Sequence, residues 1–145
     1  DELLFRIVQR GLQLMTDQLQ VICRGEGPPS EKLRKAVENH ITAYDTQYST
    51  LGVNLREERS IASQYRKDYL AIRDTYEALF RGLISEGVAT GVFRTCDPAT
   101  MTRAILGMVN WLAIWYHPGG PLTASSLSSQ FTEFILKGLQ KANTD

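Results

Sequence analysis

The side chains able to do acid–base, nucleophilic or metal chemistry are few and scattered. His40 and His117 are the only histidines, and neither has a carboxylate at the helical spacing that would complete a metal site; there is no HExxH and no paired ExxH. Cys23 and Cys96 stand 73 positions apart, without a CxxC spacing or a basic neighbour arranged to activate either thiol. Glu57, Glu58, Asp68 and Asp74 fall on faces that read as solvated. Gly87 to Gly91 lacks the Lys-Ser/Thr ending of a phosphate loop, and no strand precedes it. The expectation is therefore no enzyme, no metal and no cofactor.

The tyrosines suggest recognition instead. Five of the six, Tyr44, Tyr48, Tyr65, Tyr69 and Tyr76, fall on or beside inward-facing stripes. A buried phenol must find a hydrogen-bond partner, so a plain dry core prefers Leu, Ile or Phe. With His40, Arg73, Phe80 and Trp111 on adjoining faces, they suit an apolar pocket holding a few polar anchors. They equally suit a core rim with the hydroxyls in water, and the residues alone leave both readings open. The pocket reading assigns its lining to Met15, Tyr44, Tyr48, Tyr69, Arg73, Tyr76, Phe80, Met108, Trp111 and Trp115.

The elements that would position these residues are helical almost throughout. A first helix is predicted from about Glu2 to Cys23, ended by Gly25-Glu26-Gly27-Pro28-Pro29. Ser30 is the expected N-cap of a second, reaching about Ser49. Asn54 with Glu57 resembles a capping box for a short third through about Ala62. A long fourth, about Gln64 to Glu86, carries Tyr65, Tyr69, Ile72, Tyr76, Leu79 and Leu83, and a turn is expected from Gly87 to Thr95. Asp97-Pro98 opens a fifth helix to about Tyr116, and Thr123 caps a sixth to about Lys141. The predicted class is all-α, with about six helices in a single domain over residues 1–145.

The fifth helix has too much apolar surface for one core. Its apolar arc is about 220° at 100° per residue, where a helix packed on one side needs little over 100°. The sixth presents Leu127, Phe131, Phe134, Ile135, Gly138 and Leu139 on one face. These two helices are expected to pair, and to meet a second copy in a four-helix bundle through Leu106, Val109, Ala113, Leu127, Phe131, Phe134 and Gly138.

Composition narrows the partners. Of 145 residues 43% are hydrophobic and 22% charged, and 16 Lys+Arg balance 16 Asp+Glu. Disorder needs low hydrophobicity and a large net charge, and a phosphate footprint needs clustered excess Lys and Arg, so these residues exclude the first and do not read as the second. The longest apolar run, Ala104 to Tyr116, has 13 residues where a membrane span needs about 20. Reduced thiols and the lack of a basic n-region suggest a cytoplasmic protein. Asp1-Glu2 opens directly on a helical pattern, which carries the expectation that a further segment precedes it.

Several stretches resemble one family. Tyr76-Glu77-Ala78-Leu79-Phe80, Gly82-Leu83-Ile84 and Glu86-Gly87-Val88-Ala89-Thr90-Gly91-Val92-Phe93-Arg94 look like the end of the long helix and following turn in TetR-family (TetR/AcrR) transcriptional regulators. Asp97-Pro98, Ile105-Leu106-Gly107-Met108-Val109-Asn110-Trp111 and Trp115-Tyr116 resemble that family's first dimerisation helix. Pro121-Leu122, Phe131 and Phe134-Ile135-Leu136-Lys137-Gly138-Leu139 resemble its second. Asp1-Glu2-Leu3-Leu4-Phe5 is similar to the start of the helix that follows the DNA-binding headpiece, which is itself not in this sequence. The resemblance implies the effector-binding and dimerisation domain of a bacterial repressor. It would act as a homodimer, reach operator DNA only through that headpiece, and release it allosterically on binding a small apolar, aromatic, steroid-like or acyl effector, a coenzyme A thioester among them. The alternative is a stand-alone helical dimer serving as a lipid-type carrier or a structural interaction module.

Overall fold

The computed structural model describes residues 2–47 and 61–143. Helix α1 spans Glu2–Arg24, α2 Pro29–Thr46, α3 Ser63–Ala89, α4 Pro98–Asn110, the single turn α5 Leu112–Trp115, and α6 Ala124–Leu139. All are α-helices, as the sequence predicts. The third helix expected over Asn54 to Ala62 lies outside the described residues, apart from Ile61 and Ala62, which are not helical.

Helix α1 buries Phe5, Val8, Met15, Thr16 and Leu19, the residues its 3.6 periodicity places on one side. Helix α2 starts one residue before the expected Ser30 cap: Pro28 is extended and Pro29 takes the first helical position, where its fixed φ is already helical and its missing N–H costs nothing. Asp97 caps α4 by accepting from the Thr100 N–H, and Thr123 caps α6 by accepting from the Ser126 N–H, each at 3.1 Å, as the sequence predicts.

Helix α2 is the hub, packing against every other described helix. The main core gathers Leu33, Val37, Ile41 and Tyr44 of α2 with Met15 and Leu19, Phe80, Leu83 and Ile84, Val109 and Leu112, and Ile135 and Leu139. A smaller cluster lies near the start of α1, where Phe5 stacks on Tyr65 at 4.5 Å beside Val8 and Tyr69.

Two expectations are corrected here. The fifth predicted helix is not continuous to Tyr116; it stops at Asn110, and α5 follows after Trp111. Nor do the last two long helices pack mainly on each other. Helix α4 lies along α3, with Arg103 and Glu77 paired at 3.8 Å, whereas α6 lies along α2, where Arg34 reaches the Thr132 hydroxyl at 3.4 Å. The inward stripe of α6 includes Ala124, Ser128 and Thr132, whose small side chains let it lie close to α2.

The end of α3 also departs from the predicted turn, because Gly87 is helical and the helix runs on to Ala89. Its glycine has a steric cause: a Cβ there would sit 2.0 Å from Cδ2 of Phe93. Phe93 is buried and cannot give way freely. Its N–H donates to the Gly87 carbonyl at 2.9 Å, and its neighbour Arg94 donates through its main chain to Leu139 O (2.9 Å) and through Nε to Gly138 O (2.7 Å). Gly87→Ala should therefore cost about 1–3 kcal/mol, as overpacking does, and lower Tm by several degrees; a calorimetric scan checks this, and an unchanged Tm would contradict the contact.

Candidate functional site

Helix α2 presents His40 and Tyr44 one turn apart on its inner side, and α3 presents Tyr76 and Phe80 in the same way. The four rings meet at the middle of the molecule. Centroids lie 5.6 Å apart for His40 and Tyr76, 5.7 Å for His40 and Tyr44, and 5.4 Å for Tyr76 and Phe80, and the Phe80 ring stands edge-on to the imidazole. All four are buried.

Polar groups enclosed this way must be paired, and they are. Tyr76 Oη lies 2.7 Å from His40 Nδ1, and Asn110 Oδ1 lies 2.9 Å from His40 Nε2. An amide oxygen only accepts, so Nε2 carries the proton and donates to Asn110. Nδ1 of the neutral ring is then an acceptor, and the Tyr76 hydroxyl donates to it. Burial holds the imidazole neutral, lowering its pKa to about 4 against the small opposing pull of the Asn110 bond. Burial likewise pushes the phenols of Tyr44 and Tyr76 well above their ordinary range.

The break after α4 belongs to this site. In an unbroken helix the Asn110 carbonyl would accept from the Ile114 N–H, but that N–H donates instead to Trp111 O at 3.0 Å. The Asn110 carbonyl is met by the Tyr44 hydroxyl at 3.4 Å. One turn of α2 thus holds Asn110 twice, by side chain through His40 and by main chain through Tyr44. Below it, Tyr116 Oη donates to the Asp45 carboxylate and ties the end of α5 to the same helix.

The residues assigned to a pocket divide between several places. Met15, Tyr44, Tyr76 and Phe80 come together in the main core, with Met108 half-buried against it. Tyr69 is buried in the smaller cluster. Arg73 is exposed, as are Trp111 (61%) and Trp115 (39%). Tyr48 lies outside the described residues. Of the residues assigned to a dimer contact, Val109, Ala113 and Leu127 are buried within the chain's own core, where no partner can touch them; Leu106 and Phe131 are half-buried, and Phe134 and Gly138 are exposed. The pocket reading left out Asn110, and counted His40 only as a neighbour. Two lone polar residues on otherwise apolar faces were the available signal, since each needs a partner and each can serve the other.

Among the described residues no group of three or more His, Cys, Asp or Glu is placed to hold a metal, and no helix is long and apolar enough to cross a membrane. Fold and site together define a class: an all-helical domain whose core carries a hydrogen-bonding, aromatic cluster on its central helix. Residues 26–139 match the tetracyclin repressor-like C-terminal domain family, and the chain belongs to that family. It is 25% identical over 115 residues to the HTH-type transcriptional repressor KstR2 of Mycobacterium tuberculosis (strain ATCC 25618 / H37Rv), covering 78% of this chain. It spans 58% of that relative's length. The TetR-family regulator PfmR from Thermus thermophilus superposes with a TM-score of 0.88 at 30% identity, over 97% of this chain and 76% of that one. AibR, solved in complex with isovaleryl coenzyme A and operator DNA, matches with a TM-score of 0.78 at 25% identity, over 96% and 74%.

The buried imidazole makes stability depend on pH. Unfolded, His40 titrates near 6.5; folded, near 4. Between these values the unfolded chain takes up a proton that the folded chain refuses, so the contribution is complete above pH 6.5 and is lost as pH falls towards 4. The full loss is roughly 3 kcal/mol, with roughly 2 kcal/mol gone by pH 5. Denaturant titrations at pH 7 and pH 5 should show this difference in the unmodified chain and not in His40→Gln; equal pH dependence in both would contradict it.

Proposed function

We propose that this chain is the effector-binding and dimerisation domain of a bacterial one-component transcriptional repressor, and that the effector is small and largely apolar. The observation that carries the reading is the His40–Tyr76–Asn110 cluster enclosed at the centre of the fold, in contact with the core to which α1 contributes Met15 and Leu19. A regulatory domain needs a recognition site whose occupancy can move a lever. Helix α1 is the lever in this reading, and operator half-sites roughly 34–36 Å apart make the spacing of two headpieces sensitive to a small swing of it. The ligand acts only through unequal affinity for the DNA-competent and DNA-incompetent states. The names of two relatives supply effector classes to try, since KstR2 is described as a ketosteroid regulator and AibR was solved with isovaleryl coenzyme A.

The reading is tested by titrating the chain with a ketosteroid and with isovaleryl coenzyme A while following Tm. A ligand that binds the native state alone adds about 2.7 kcal/mol at a hundredfold excess over Kd, several degrees for a chain of this size. The outward-facing Arg81→Ala variant should respond like the unmodified chain. In a gel shift the 145 residues, with net charge zero, should leave operator DNA unshifted, while the same chain joined to a helix-turn-helix headpiece should shift it and release it with ligand. A Tm unmoved by either class would sink the effector reading.

The dimer in this reading uses the apolar side chains left outside the core late in the chain: Trp111, Ile114, Trp115 and Leu122, with Phe134 69% exposed on α6. Light scattering should give twice the 16.3 kDa chain mass, and Phe134→Glu should halve it without loss of helical circular dichroism. A monomeric unmodified chain at high concentration would refute it.

A further inference from the structure

The cluster also specifies which chemical group an effector must carry, an inference that rests on the effector-binding reading above. The Tyr76 hydroxyl donates a hydrogen bond to Nδ1 of His40, so the ring's one donor is Nε2–H. The ring is fixed by packing on three sides, against Tyr44, Tyr76 and Phe80, so the donor points in one direction. What it meets there is an amide oxygen, that of Asn110. His40 and Tyr76 are both buried, whereas Asn110 is half-buried and is the last residue of α4. Asn110 is thus the most accessible member of the set, and without its amide oxygen the buried Nε2–H would have no acceptor.

We propose that His40 is the residue that recognises the effector's oxygen, that Asn110 stands in for that oxygen when no effector is bound, and that the ligand class is an apolar molecule bearing an uncharged carbonyl (a ketone, ester or thioester). A carbonyl oxygen replaces the Asn110 oxygen with no net loss of hydrogen bonding. A hydrocarbon of the same shape leaves the buried donor unpaired, which costs enough to reject it about tenfold or more. A carboxylate brings a full charge into an apolar core and is rejected by desolvation. Release of Asn110 also removes the side-chain tie at the end of α4 and leaves the Tyr44 bond to its carbonyl, so occupancy reaches the Trp111 side of the joint. Both tryptophans of the chain, Trp111 and Trp115, flank that joint and report on it.

The test uses matched probes on the 145-residue chain: 4-phenylcyclohexanone against phenylcyclohexane, and an androstane ketone against androstane. Binding is followed by tryptophan fluorescence and by Tm. The ketones should bind at least tenfold more tightly than the hydrocarbons. His40→Phe should remove that preference, His40→Gln, which keeps a donor N–H, should retain part of it, and Asn110→Leu, which removes the internal competitor, should strengthen ketone binding several-fold. A merely structural role would weaken binding in His40→Phe and Asn110→Leu alike. Should His40→Phe fail to fold, the opposite signs expected of Asn110→Leu and of the hydrocarbon comparison still decide the matter. Equal binding of ketone and hydrocarbon, or weakening by Asn110→Leu, overturns this assignment while leaving an effector domain standing. No binding of either ketone, with isovaleryl coenzyme A still raising Tm, overturns recognition through the carbonyl alone and leaves an effector domain standing; silence to all of them overturns the effector reading as well.

Discussion

An imidazole enclosed among aromatic rings has two nitrogens, and neither can be left unpaired. That requirement sets the geometry of the middle of this molecule. One nitrogen takes its partner from α3 and the other from α4, while the ring itself belongs to α2. Three helices are thereby fixed in register relative to one another, because sliding α2 by a turn, about 5.4 Å, would break both bonds, and sliding α3 or α4 would break one. Apolar packing alone tolerates such shifts far better than a hydrogen-bond chain does. The polar centre costs desolvation, and what it supplies in return is a defined arrangement of the surrounding helices.

The apolar residues around it explain why α2 occupies the centre. Leu33, Ala36, Val37, Ile41, Ala43 and Tyr44 are nearly inaccessible, and they cover more than one side of the helix. Such a helix must be enclosed, with α1 and α3 on part of its circumference and α6 on another part. Its ends reach partners too. Lys32 at the start pairs with Glu86 at 3.9 Å, and Asp45 near the end accepts from Tyr116. The half-buried Cys23 lies close by, its thiol pushed up by burial, which suits a packing role better than a reactive one.

Much of this was legible in the sequence, for reasons that also mark where legibility ended. Helical period, proline placement and the caps at Asp97 and Thr123 are local signals, and α4 and α6 begin where those caps place them. The inward positions of Tyr44, Tyr76 and Phe80 follow from the same period. Tyr69 shares the stripe of Tyr76 yet enters a different cluster, because α3 has 27 residues and its roughly 40 Å length passes over two cores. The wide apolar arc of the fifth predicted helix showed excess hydrophobic surface without showing which half turns inward. The structure turns Ile105, Val109, Leu112 and Ala113 in and leaves Trp111 and Trp115 out. At the break the Asn110 carbonyl is met by Tyr44, a residue 66 positions away, and no local signal carries that contact.

The tie between Arg94 and the end of α6 closes a ring of chain, since its side-chain bond to Gly138 joins positions 44 apart. Everything from α4 through α6 lies inside that ring. Loop-closure entropy grows slowly with length, so a ring of this size is an inexpensive way to bind a late-synthesised helix to an earlier one. During synthesis, α3 is complete and Gly87 is ready to receive Phe93 well before Gly138 and Leu139 emerge. The last residues of α6 therefore act as a clasp that shuts the lobe only once the whole of it exists. For anyone handling this domain, the carbonyls of Gly138 and Leu139 are structural parts rather than the beginning of a tail, and fluorophores, tags or cleavage sites belong beyond them.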